Sequence, residues 1–135
     1  MQRGQRVLVQ GAAGAVGQAL IVLGKLAGLE IWGTARAENA ALVRELGATP
    51  IDYKREDFTR VLPGGFDVVF DGVAEDGYRR SFAALKRGGT LVAIGFSAGA
   101  QEKRRMLTIL GWIARLYLWS LVRGKRAFFY SINTM

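Results

Sequence analysis

Two rhythms of apolar residues alternate along this chain. Short dense runs occupy residues 6–10, 30–34, 49–52, 66–70, 90–94 and 126–132, and their length and β-branched content predict strands. Between them apolar residues recur at helical spacing. Val16, Ala19, Leu20, Leu23 and Ala27 predict a helix over 15–27 closed by Gly28, and a second helix over 38–46 ends at Gly47. Tyr78, Phe82 and Leu85 stand at i, i+4 and i+7, which predicts a helix from about residue 75 with those three facing inward. Pro63-Gly64-Gly65, Asp71-Gly72 and Gly88-Gly89 break the chain between elements. Strands written as continuous apolar runs are those that helices cover on both faces. With right-handed crossovers, the alternation predicts one α/β domain over 1–135. Its fold is a doubly wound Rossmann fold, a six-stranded, mostly parallel sheet in the order 3-2-1-4-5-6 with helices on both faces.

The first crossover carries the chemistry. Arg6-Val-Leu-Val-Gln10 runs straight into Gly11-Ala-Ala-Gly-Ala-Val-Gly17, which opens the first helix. Backbone N–H groups and the positive helix end converge at such a turn and suit a pyrophosphate. A missing side chain at Gly14 lets backbone approach the phosphates, and one at Gly17 lets helix and strand pack closely. Ala12 holds the first place of the usual G-x-G-x-x-G, and glycine-rich turns also serve plain strand–helix corners. Position decides for a dinucleotide: strand before, helix after, a second strand on schedule.

The end of strand two favours one nucleotide, although Arg36 by itself could also be an ordinary solvated loop cation. NAD sites usually place an acid there for the ribose 2′-OH, whereas this chain reads Gly33-Thr34-Ala35-Arg36. A guanidinium grips a 2′-phosphate in a fork, which a carboxylate would repel. Tyr53 and Lys54 emerge at the same sheet end. The cofactor expected is NADP(H).

Composition narrows the chemistry further. The chain has no cysteine and no histidine, which removes disulfides, thiolate nucleophiles, histidine bases and nearly every zinc or haem site, so no metal is expected. No signal peptide is apparent at the N-terminus, and a cytoplasmic location is expected. The net charge of +8 can mean nucleic acid or an anionic membrane. The cations are spread along the chain, clustered only at 103–105 and 123–126, without interleaved aromatics, so no nucleic acid is expected. An anionic cofactor and a missing acidic partner domain explain the excess equally well.

Residues 106–122 are dense in apolar side chains between basic flanks. A spanning helix needs ~20 residues, and Arg115 at mid-helix costs ~2.5–3.5 kcal/mol, so no transmembrane segment is expected. A helix packing on the sheet and against another domain or subunit fits better, with membrane-surface binding as the rival. Residues 126–132 form an edge strand through which, near 127–132, a homodimer is expected.

Together these motifs, with Leu46-Gly-Ala48, Ile51-Asp-Tyr53, Phe66-Asp-Val-Val-Phe-Asp71 and Leu85-Lys-Arg-Gly-Gly-Thr-Leu-Val92, resemble the medium-chain dehydrogenase/reductases. Within them the chain is similar to the zinc-free quinone oxidoreductase branch over roughly residues 4–97. The resemblance implies that Ala13, Gly14, Ala15, Val16 and Gly17 line the pyrophosphate. Thr34, Arg36 and Tyr53 then surround the 2′-phosphate. Gly72, Val73, Gly95, Phe96 and Ser97 run along the ribose and nicotinamide, and backbone near Phe129 and Tyr130 approaches the carboxamide. In some relatives a lysine of the second helix holds the phosphate; Ala40 lies about there, leaving Arg36 to act alone or with Lys54.

Members of the branch also carry a GroES-like catalytic domain, absent from this chain, so an excised domain is expected. The function implied is the NADPH-binding part of an oxidoreductase that reduces a small-molecule quinone or α,β-unsaturated carbonyl. No catalytic side chain can be named: Tyr130 and Ser131 are weak candidates, and the isolated domain is not expected to turn over alone. A non-catalytic nucleotide-binding or interaction module is the alternative. A short-chain dehydrogenase lacks its Tyr-x-x-x-Lys pair here, and a methyltransferase would want an acid at the end of strand two.

Overall fold

β1 (Arg6–Gln10) lies in the middle of the sheet, and its composition shows why: Val7, Leu8 and Val9 are all buried, as only a strand covered on both faces requires. A computed structural model describes residues 2–72, 79–96 and 126–132, with 94–96 and 126–132 as backbone. From β1 the chain passes through α1 (Ala15–Leu26) to β2 (Glu30–Ala35). A 3-10 turn (Ala37–Asn39) then leads into α2 (Ala40–Leu46) and β3 (Thr49–Asp52). After β4 (Phe66–Asp71) come α3 (Arg79–Ala83), β5 (Leu85–Phe96) and β6 (Arg126–Ile132). The strand order is β3-β2-β1-β4-β5-β6 and every pairing is parallel. This is the doubly wound topology the sequence predicts.

Alternate residues of β1 feed two cores. Leu8 joins Phe66, Val69, Phe82 and Leu91 on the α3 side, where the Trp32 ring meets Phe66 edge-on at 5.6 Å. Val7 and Val9 join Ile31, Val68, Ile21 of α1 and Val43 of α2 on the other. Each fully buried side chain of this size contributes about 1.5–3 kcal/mol. Gly47 ends α2 with φ 103°, a left-handed value that favours glycine. β3 forms one edge of the sheet. Pro50 has no N–H to offer there, and the Asp52 N–H donates to Glu56 Oε2 at 2.9 Å.

Several boundaries differ from the expectation, most by a residue or two, and those around α3 and the start of the second helix have a physical cause. The helix placed from residue 75 ends at Ala83, so Leu85 is buried as a strand residue; Tyr78 lies outside the described residues. Phe66 captures the chain here. Its N–H donates to Ala84 O at 2.9 Å and it pairs with Leu85, with a register shift before Val68, so β5 begins at residue 85 rather than 90. The second helix opens as a 3-10 turn, which suits Asn39, a poor residue for a helix interior. The expected helix over 106–122 lies outside the described residues. Among the described residues no helix is long and apolar enough to cross a membrane.

Candidate nucleotide-binding site

The turn after β1 is set by Gly11, whose φ of 72° few other residues adopt. Gly14 N–H returns to Gly11 O at 3.2 Å, and Ala12 N–H donates to Thr34 O at 2.9 Å. Gly14 then caps α1 with no side-chain hydrogen bond, and no acidic residue stands in the first turn. The first helical bond runs from Gln18 N–H to Gly14 O at 2.9 Å. The N–H groups of Ala15, Val16 and Gly17 are thus the donors a helix start leaves over, gathered at its positive end.

The two glycines of this turn differ physically. A Cβ on Gly17 would lie 2.3 Å from Gly11 O and 2.8 Å from Ala12 Cα, so its bare Cα is a packing requirement. A Cβ on Gly14 would meet only Gly11 O, at an ordinary 3.5 Å, on extended backbone that any residue adopts. The fold has room for a side chain at Gly14.

On the other side of the cleft the guanidinium Nε of Arg36 donates to the Tyr53 hydroxyl at 3.2 Å. That hydrogen bond, then the Tyr53 and Glu38 charges, raise the Arg36 pKa above its ordinary value. Nε is occupied, which steadies the fork of terminal nitrogens. Glu38 Oε1 stands 4.0 Å from one of them, with both side chains mostly exposed; such a pair is weak.

Turn and cation line one cleft of about 1010 Å³, opening between the C-terminal ends of β1 and β4 where the strand order reverses. Of the expected residues, Ala13, Gly14, Thr34, Arg36 and Tyr53 line it, as does Lys54. Ala15, Val16 and Gly17 form the first turn of α1 beside it. Gly72 follows the end of β4, and Gly95 and Phe96 close β5. Val73 and Ser97 lie outside the described residues.

Thr34 is only 2% exposed, and its hydroxyl accepts from Gly11 N–H at 3.1 Å and donates to Gln10 Oε1 at 2.9 Å. Sequence reasoning missed the rest of that chain. Gln10 Nε2 donates to Ser81 Oγ at 3.0 Å, and Ser81 Oγ donates to the buried carboxylate of Asp71 at 2.6 Å. Polar last residues following apolar strand centres, Gln10 after Val9 and Asp71 after Phe70, were the available signal; Ser81 gave none. Arg80 and Phe58 also line the cleft. The Arg80 guanidinium lies 4.6 Å over the Phe58 ring and 3.1 Å from Asp57 Oδ1.

Residues 15–124 match the family of zinc-binding dehydrogenases. The chain belongs to that family. It is 33% identical over 135 residues to mouse prostaglandin reductase-3, covering 96% of this chain and 36% of that protein. The domain superposes on the quinone oxidoreductase of Coxiella burnetii with a TM-score of 0.72 at 28% identity, covering 95% of this chain and 36% of that one. CurA of Vibrio vulnificus in complex with NADPH, 22% identical over 96% of this chain and 40% of that one, shares the fold with a TM-score of 0.69. The chain thus spans little more than a third of such relatives. Within the family it is a quinone oxidoreductase-like, nucleotide-binding domain. Zinc does not fit the donors of this chain, which has no His or Cys, and among the described residues no three acids cluster. NADP(H) does fit: an uncapped helix start, a side-chain-free Gly14 and a guanidinium fork share one cleft.

Proposed function

We propose that this chain is the NADP(H)-binding domain of an oxidoreductase acting on a quinone or an α,β-unsaturated carbonyl, completed by a GroES-like catalytic domain outside this chain. One observation carries the reading. The acid-free start of α1 and the Tyr53-steadied Arg36 face the same cleft at the switch point of the sheet. Ala13 to Gly17 seat the pyrophosphate, and Arg36 with Tyr53 takes the 2′-phosphate. Thr34 holds the turn between them. Gly72, Val73, Gly95, Phe96 and Ser97 run beside the ribose and nicotinamide. The bound cofactor supplies the hydride, and the protein orients it and excludes competing water. Two copies associate through residues 127–132 of the edge strand.

The test is a fluorescence titration of the folded protein with NADPH and NADH at low salt. NADPH binds at least about ten-fold tighter, and Arg36→Asp erases or inverts that order, because the carboxylate repels the phosphate the fork had held. If neither coenzyme binds a folded sample, the reading fails. If the preference survives Arg36→Asp, the 2′-phosphate has been placed on the wrong residue.

A further inference from the structure

We infer that Asp71, Ser81, Gln10 and Thr34 form a positioning relay that sets the Gly11 turn, and through it the phosphate seat, from a carboxylate on the neighbouring strand. The inference rests on the proposed nucleotide site and adds four residues that act on it through one another.

The direction of the relay follows from its last member. Ser81 spends its single proton on Asp71 Oδ2 at 2.6 Å. The Gln10 atom facing Ser81 at 3.0 Å must then be the donor, Nε2. This turns Gln10 Oε1 toward Thr34, whose hydroxyl proton is drawn to it at 2.9 Å. The remaining lone pairs of that hydroxyl face Gly11 N–H at 3.1 Å. Every proton therefore points toward Asp71, and bonds aligned head to tail strengthen one another. Asp71, Ser81 and Thr34 are each no more than 2% exposed.

Both leading amides of the turn end on Thr34, Gly11 N–H on its hydroxyl and Ala12 N–H on its carbonyl oxygen. The carbonyl bond comes with the backbone, but the hydroxyl bond depends on the relay. Gln10 and Asp71 are directly in register, so the relay crosses from β4 through α3 to β1 and β2 at the floor of the cleft. The phosphate seat is thereby tied to the element that leads into the far half of the site.

The experiment compares wild type, Thr34→Val, Thr34→Ser and Ser81→Ala in the full chain. It reads dissociation constants for NADPH and NADH and the hydrogen-exchange rate of the Gly11 amide in the free protein. Thr34→Val keeps the shape and removes the hydroxyl. It should weaken both coenzymes by the same factor, about ten-fold, and speed Gly11 exchange comparably. Thr34→Ser restores both. Ser81→Ala, two bonds away, acts in the same direction and serves if Thr34→Val does not fold. Equal affinities in folded variants and wild type overturn the relay, and so does a loss confined to NADPH, which would put Thr34 on the 2′-phosphate itself. Wild type that binds neither coenzyme sinks the site reading instead, while Gly11 exchange still reports on the relay.

Discussion

Gly17→Ala places one methyl group where the fold has no room. The added carbon would start 2.3 Å from Gly11 O and 2.8 Å from Ala12 Cα. Both obstacles are main chain, so no rotamer change relieves them, and the start of α1 must withdraw by roughly 1 Å to restore ordinary contact. Overpacking of this kind costs about 1–3 kcal/mol, and rigid partners put Gly17 at the upper end, about 3 kcal/mol. For a domain of this size that lowers Tm by about 10 °C. The same withdrawal carries the first-turn N–H groups away from the cleft, so coenzyme affinity falls even at temperatures where the variant is fully folded. Gly14→Ala is the matched control. Its Cβ meets an ordinary contact, so Tm should stay within about 2 °C while affinity drops. Thermal unfolding by circular dichroism and coenzyme titration read the two effects separately. A Gly17→Ala variant with wild-type Tm, or a Gly14→Ala variant that loses stability but binds normally, would refute the division of labour between the glycines.

Two further outcomes probe the fold and the cleft wall. Phe66→Ala, at a residue 1% exposed and edge-on to Trp32, should cost about 3–5 kcal/mol in urea unfolding; a loss below about 1 kcal/mol would show that this core collapses around the gap. Asp57 is held down to a pKa of about 2, first by the Thr59 hydroxyl and N–H and then by Arg80. A depressed carboxylate adds stability that is complete above its ordinary pKa and lost as pH falls toward 2. The hydrogen bonds that Asp57 accepts from Thr59 and Arg80 should therefore persist at pH 3.5, with an NMR titration midpoint near 2; a midpoint near 4 would mean that they do not hold in solution.

Much of this architecture was legible because its signals are local. β1, β3 and β6 begin and end where the sequence places them. The glycine turn and the Arg36–Tyr53 side of the cleft were legible for the same reason: a short motif fixes each, and parallel strands bring their ends together. The start of β5 was not. Leu85 continues a helical spacing by coincidence, and only pairing with Phe66, distant in sequence, makes it a strand residue. The Gln10–Ser81 bond joins residues 71 positions apart, and nothing near either one announces the other. Strand register creates that contact, so it emerges only once the sheet is assembled.

The two ends of the sheet have opposite consequences for self-association. At the β3 end, Pro50 supplies no hydrogen and the Asp52 hydrogen is already claimed by Glu56, so an incoming strand finds a blunted template. At the opposite end the sheet finishes with β6. Two copies meeting there about a two-fold axis would each present β3 at the outward end. In a pair joined that way growth by strand addition would stop, because Pro50 and the Asp52–Glu56 hydrogen bond would blunt both outward ends.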